Sequence, residues 1–176
     1  MTARHVTAPA AALLEAQRRL AWADSYTRMP ALLALAELLP PAQWLALLGR
    51  HWSICDNIGA FRTRLRRHLP KVGPVTQMMT PLELAAWHQL PAAIEVYRGC
   101  GIRNMRGLSW SLDRHEAERF PSLMRYRASP ALLVVGRVLK ARVLAVKLDR
   151  NEAEIITDHA RIVRVELLPV AGVAAA

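Results

Sequence analysis

Apolar positions along this chain change period near residue 91, from helical spacing upstream to alternation downstream. Leu13, Gln17 and Leu20 fall on one helical stripe, and Pro30 closes that region. Residues 31–39 and 42–49 are Leu/Ala-rich blocks parted by Pro40–Pro41. They predict two short helices, with Gly49 as the C-terminal stop of the second. Asp56 or Asn57 stands where a cap is needed for a further helix through about His68, closed by Pro70. The clearest start signal is Thr80-Pro81-Leu82-Glu83, a capping box with proline at the first helical position. It opens a helix to about Leu90, which Pro91 breaks.

Downstream, Ile94 and Val96 alternate with polar neighbours up to Tyr97-Arg98-Gly99, and Leu108 to Leu112 predicts a second short strand. Asp113, with Glu116 three residues on, caps a helix through about Met124. Ala131 to Leu148 is rich in Val and Leu and supplies two strands, with breaks near Gly136 and Lys140–Ala141. Glu154 to Thr157 is another strand, and Arg161 to Leu167 alternates with Val163, Val165 and Leu167 on one face. The terminal AGVAAA reads as frayed. No internal repeat and no low-complexity linker interrupts the chain. The expected fold class is α+β, with a helical N-terminal lobe over residues 1–90. A core of short, mostly antiparallel strands follows over 91–176, and the two form one compact unit.

Composition agrees with a folded domain: 176 residues, 53% hydrophobic and 22% charged. The net charge of +10 rests on 24 basic residues, of which 21 are arginine and three lysine. Residues 1–90 and 91–176 each carry a net +5. Such a surface attracts phosphates, nucleic acid or an acidic protein. The run Arg62 to His68 (RTRLRRH) is its most concentrated stretch, and reads either as a solvated helix face or as a phosphate or acidic-partner surface. Two cysteines, Cys55 and Cys100, give no disulfide framework. Glu15 and Arg18–Arg19 interrupt the N-terminal apolar run, so no signal peptide is predicted there. Ala31 to Leu48 contains Glu37 and two prolines, which suits soluble helices better than a membrane span. On these grounds the chain reads as cytoplasmic.

Three pieces that carry chemistry follow one another in the second half: Tyr97-Arg98-Gly99 at a strand end, Gly107-Leu108-Ser109-Trp110-Ser111, and Glu152-Ala153-Glu154 running into Ile155–Ile156. This arrangement resembles the arginine–serine–glutamate class of mono-ADP-ribosyltransferases. In that class an Arg on the first core strand is followed by a Ser-x-Ser strand and then a Glu-x-Glu loop. The wording YRG, then GLSWSLD with a helix ending in AERF, is similar to small phage- and bacterium-encoded members. The resemblance covers about residues 92–168, and Trp110 departs from the commoner Ser-Thr-Ser.

The resemblance implies an NAD-consuming glycosyl transfer on an ADP-ribosyltransferase-like core, with release of nicotinamide, in the setting of a phage or bacterial effector or toxin. NAD would be the ADP-ribose donor, and no metal is called for. Arg98 offers a planar, permanently charged fork suited to the diphosphate or its adjacent ribose. Gly99, lacking a side chain, permits close approach, and by resemblance its backbone binds the nicotinamide amide. Ser109 would brace the catalytic carboxylate and the ribose, and Ser111 extends the same strand face. Glu154, the matched second Glu, would hold the ribose 2′-hydroxyl and stabilise positive charge building at C1′, as carboxylates do in glycoside cleavage. Glu152 matches the position that touches the incoming nucleophile. By resemblance Phe120 or Tyr126 would stack on nicotinamide.

The resemblance leaves the acceptor open: an arginine or other protein side chain, or nucleic acid. Water as acceptor would make the protein an NAD glycohydrolase. A non-catalytic basic module binding nucleic acid or protein is the alternative from another class, and retention of Glu154 weighs against it. His51 and Cys55, four apart, read as packing rather than as half a metal site. Cys100 has no histidine placed to activate it. Trp22, Trp44, Trp52 and Trp87 read as core or lobe-packing anchors.

Overall fold

Among the described residues upstream of Pro70 the apolar stripes become four α-helices: α1 (Ala8–Ala21), α2 (Arg28–Leu35), α3 (Pro41–His51) and α4 (Arg62–His68). The structure, a computed structural model, describes residues 8–123, 126–149 and 153–169. It divides into two compact units, Met1–Leu69 and Pro70–Ala176. In the first, Met29, Leu32, Leu33, Leu35, Trp44, Leu48, Trp52 and Leu65 are fully buried, and the Trp44 indole donates to the Leu32 carbonyl at 2.7 Å.

Local signals in this unit act differently from their sequence reading. Pro30 does not end a helix; it is the third residue of α2, where the missing N–H has no intrahelical partner to lose. Gly49 lies buried inside α3, which runs on to His51. Neither Asp56 nor Asn57 caps α4. Asn57 takes a left-handed conformation (φ 56°) before a short 3-10 turn, Ile58–Phe61, and Asp56 turns inward to accept from the Ser25 hydroxyl at 2.6 Å. Trp44 and Trp52 are core residues as expected, but Trp22 is 90% exposed.

The second unit is α+β. Among its described residues six strands form one sheet: β1 (Ala93–Cys100), β2 (Ser109–Ser111), β3 (Leu132–Leu139), β4 (Ala145–Lys147), β5 (Glu154–Ile156) and β6 (Arg161–Leu167). Their order is β4-β5-β2-β1-β3-β6, and every pairing is antiparallel. One face packs Ile94, Val96, Cys100, Trp110, Val134, Val138, Val146 and Ile155 with Trp87 of α5 (Pro81–Gln89). The other gathers Leu133 and Val135 against Ala117 of α6 (Arg114–Arg119). Because α5 sends Trp87 into the sheet core, it belongs with the strands. The division therefore falls at Leu69/Pro70, where the sequence placed it at 90/91.

Both helix caps in this unit form as predicted. Thr80 Oγ1 accepts from the Glu83 amide at 3.3 Å while Glu83 Oε2 accepts from the Thr80 amide at 2.7 Å. Asp113 Oδ1 accepts from the His115 and Glu116 amides at 2.8 and 3.3 Å. The helix Asp113 opens ends at Arg119, short of the expected Met124, because Pro121 follows and the chain tightens into a 3-10 turn, Phe120–Ser122.

The close seat of α6 on β1 depends on Gly99. A Cβ there would lie 1.7 Å from the Ala117 carbonyl oxygen and 2.6 Å from Pro121 Cδ. Gly99→Ala is therefore expected to lift α6 from the sheet and to destabilise the protein by about 1–3 kcal/mol or more, read from chemical denaturation.

Candidate functional site

β1 pairs with β3 along its whole length, Ala93 opposite Leu139 through Cys100 opposite Leu132, but with β2 it registers at Tyr97–Ser111. Past that pair, residues 101–108 leave β1 and return as β2. Arg98 ties this crossover down. Its Nε donates to the Asn104 carbonyl and its Nη2 to Asn104 Oδ1, each at 2.9 Å, and Nη1 donates to the Ser109 carbonyl. A Cβ on Gly107 would sit 2.2 Å from Arg98 Cζ, so glycine lets the guanidinium lie against the crossover backbone. Arg98, Arg103 and Arg106 lie close together in sequence, with no acidic residue between Glu95 and Asp113, and Arg103 and Arg106 are exposed.

Across the sheet, Ser111 stands opposite Tyr97 on one side and Glu154 on the other, and Glu154 stands opposite Lys147. Register partners project to the same side, so Tyr97, Ser111, Glu154 and Lys147 form one row over four strands. Ser109 shares that face two residues along β2, while Trp110 and Ile155 take the opposite, buried face. Ser109, Ser111 and Glu154 are half-buried. The Ser111 hydroxyl accepts from the Asp113 amide at 2.9 Å, which fixes its oxygen beside the start of α6.

The register thus brings Ser111 and Glu154 together. Arg98 takes the other face: alternation along β1 puts it with Val96 and Cys100, and its link to the serine strand is through the Ser109 backbone. Gly99 gives its close approach to α6. Glu152 lies outside the described residues. Phe120 and Tyr126, both candidates for stacking on a ligand, stack on each other with ring centroids 5.2 Å apart.

No known protein family, no curated protein and no solved structure matches the chain.

At the far end of the row, the Lys147 ammonium is buried and paired with Glu83 Oε1 at 2.9 Å, and Glu83 Oε1 also accepts from the Leu148 amide at 3.2 Å. This ion pair holds the end of β4 onto α5. Sixty-four positions separate the two residues, and no spacing rule links them, so sequence gave no sign of it. Asn104, the partner of Arg98, was equally silent, since an asparagine in a loop is ordinary. Burial pushes the Cys100 thiol up and the Cys55 thiol up to about 11, which leaves both protonated and unreactive near neutrality.

The 101–108 crossover thus carries two exposed cations, Arg103 and Arg106, and the Ser111–Glu154 pair, with Ser109, sets a carboxylate and hydroxyls on one face of the sheet. All three nitrogens of the Arg98 guanidinium donate to Asn104 and Ser109, so its fork places the crossover. Among the described residues no group of three or more metal-ligating side chains is found. No described helix is long and apolar enough to cross a membrane.

Proposed function

We propose that the chain is an ADP-ribosyltransferase that moves ADP-ribose from NAD to a macromolecular acceptor and releases nicotinamide. The observation that supports this most is the placement of Glu154 directly opposite Ser111, one strand away from the strand that Arg98 grips. Arg98, Ser109, Ser111 and Glu154 come from three adjacent strands, β1, β2 and β5.

In this reading the bond between ribose C1′ and the nicotinamide nitrogen breaks, and its electron pair leaves with neutral nicotinamide. C1′ takes on oxocarbenium character. Glu154, ionised, accepts from the 2′-hydroxyl and stabilises that charge, with Ser111 and Ser109 setting its surroundings. The acceptor's nucleophile then bonds to C1′ and gives up a proton, for which Glu152 is the nearest base in sequence. Arg98, Arg103 and Arg106 hold the diphosphate by charge.

Arg98→Ala is expected to raise KM for NAD about ten- to a hundredfold, from loss of charge-assisted bonds that place the crossover. Arg98→Lys restores little of this, because an ammonium does not span the Asn104 and Ser109 carbonyls as a fork does. Steady-state kinetics check both. A KM unchanged in Arg98→Ala assigns the residue to folding alone.

The test of the proposal is incubation with NAD labelled in its adenylate and a cell lysate, with protein and nucleic-acid fractions followed separately. Label in one fraction, absent with Glu154→Gln, supports the transferase and gives the acceptor class. Free ADP-ribose with no labelled fraction replaces it with NAD hydrolysis. Intact NAD leaves a non-catalytic basic module.

A further inference from the structure

The first unit carries a surface that the transferase reading does not use. Residues 1–69 hold nine arginines, no lysine and four acidic residues. From Arg50 to His68 the exposed charge is of one sign. Arg50, Arg64, Arg66 and Arg67 are exposed and Arg62 is half-buried, whereas Asp56, the sole acid in that stretch, is 4% exposed and accepts from the Ser25 hydroxyl. Helix α4 buries Leu65 completely, which leaves Arg64, Arg66 and Arg67 on the solvent side, and no ion pair among the described residues takes Arg64 or Arg67.

The same unit displays aromatic faces. Trp22 is 90% and Tyr26 55% exposed. Trp22 continues the last turn of α1, its amide bonded to the Arg18 carbonyl at 3.2 Å, so an exposed arginine lies one turn before the indole. Tyr26 is held by the Asp24 turn, whose carboxylate accepts from the Tyr26 and Thr27 amides at 2.9 and 2.7 Å. That turn is pinned to the segment leading into α4, because the Asp56 amide donates to the Ser25 carbonyl at 2.7 Å.

Guanidinium groups grip phosphates through paired bonds, and flat exposed rings stack on bases that are not already stacked in a duplex. An acidic protein would satisfy the arginines but would leave the rings without a use. We infer that the helical unit is a single-stranded nucleic-acid-binding surface, in which the α4 arginines follow the phosphate backbone and Trp22 and Tyr26 stack on bases. The inference rests on residues 1–69 alone and stands or falls independently of NAD chemistry.

The test is fluorescence anisotropy of the full chain with a labelled single-stranded oligonucleotide of about 16 nucleotides or more. The duplex of the same sequence and a polyglutamate of equal charge are run beside it, from about 50 to 200 mM salt. The single strand should bind most tightly, and its affinity should fall steeply with salt. Arg64→Ser/Arg67→Ser should lower the log–log salt slope by about 1.4. Trp22→Ala should weaken single-strand binding about tenfold with the slope unchanged. Glu154→Gln should bind as the wild type does. Arg64, Arg67 and Trp22 are exposed, and thermal melts verify that each variant folds; if the arginine pair does not fold, Trp22→Ala carries the test. The inference is overturned by no binding at low salt, by an unchanged slope, by polyglutamate binding as tightly, or by duplex preference with Trp22→Ala silent.

Discussion

Glu154→Gln should lower the rate of nicotinamide release by about a hundred- to a thousandfold, while KM for NAD and the denaturation midpoint stay close to wild type. Glutamine keeps the shape and hydrogen-bonding reach of the side chain, so β5 retains its register between Ser111 and Lys147. What it loses is the negative charge that a cation developing at ribose C1′ requires. An effect on kcat with little on KM marks a group that acts in the transition state rather than in ground-state binding. If turnover survives in this variant, the catalytic carboxylate lies elsewhere.

The second large effect concerns stability. Lys147→Met should cost about 3–5 kcal/mol, because it leaves the Glu83 carboxylate buried without its cation. For a unit of this size that lowers Tm by about 10 °C or more, measured by calorimetry. Glu83 also has a pH signature. Burial alone pushes its carboxyl up, but the Thr80 amide, the Lys147 ammonium and the Leu148 amide outweigh burial and hold it below the ordinary glutamate range. A carboxyl depressed on folding contributes stability that is present above its unfolded value, about 4.3, and is lost as pH falls through the lower folded value. The wild type should therefore lose stability on acidification below about pH 4. Glu83→Gln, already less stable, should lose less over that window. A parallel pH dependence in the two proteins would mean that Glu83 does not titrate on unfolding.

Much of the second unit was legible because its signals are local. Thr80 and Glu83 lie within one turn, and Arg161 to Leu167 alternates without interruption and forms β6 over those residues. The Ser-x-Ser and Glu motifs stood next to apolar residues that predict strands, and they pair as β2 and β5. The helical unit was harder. Prolines and glycines punctuate a chain only where a neighbouring turn lets them, so Pro30 entered a helix and Gly49 continued one. Asp56 was drawn inward by Ser25, thirty-one residues away, which no cap rule anticipates. Trp22 shows the limit of composition: a tryptophan among helices suggests core, yet it follows the last residue of α1 and faces solvent.

At the candidate site, order along the chain indicated that the three motifs lie on or beside strands but not which side of the sheet each residue takes. Arg98 and Tyr97 differ by one position, and that single step moves the guanidinium to the face of Val96 and onto the crossover at Asn104. Gly99 likewise stood beside Arg98 as a candidate for ligand approach, and the helix that follows Asp113 occupies its open side.

The central claim is that this chain cleaves the nicotinamide bond of NAD, and the most direct measurement is release of labelled nicotinamide by the purified protein. Time-dependent release that disappears in Glu154→Gln, with both proteins folded to the same midpoint, is the predicted result. No release from the folded wild-type protein, with or without lysate as a source of acceptor, would contradict it.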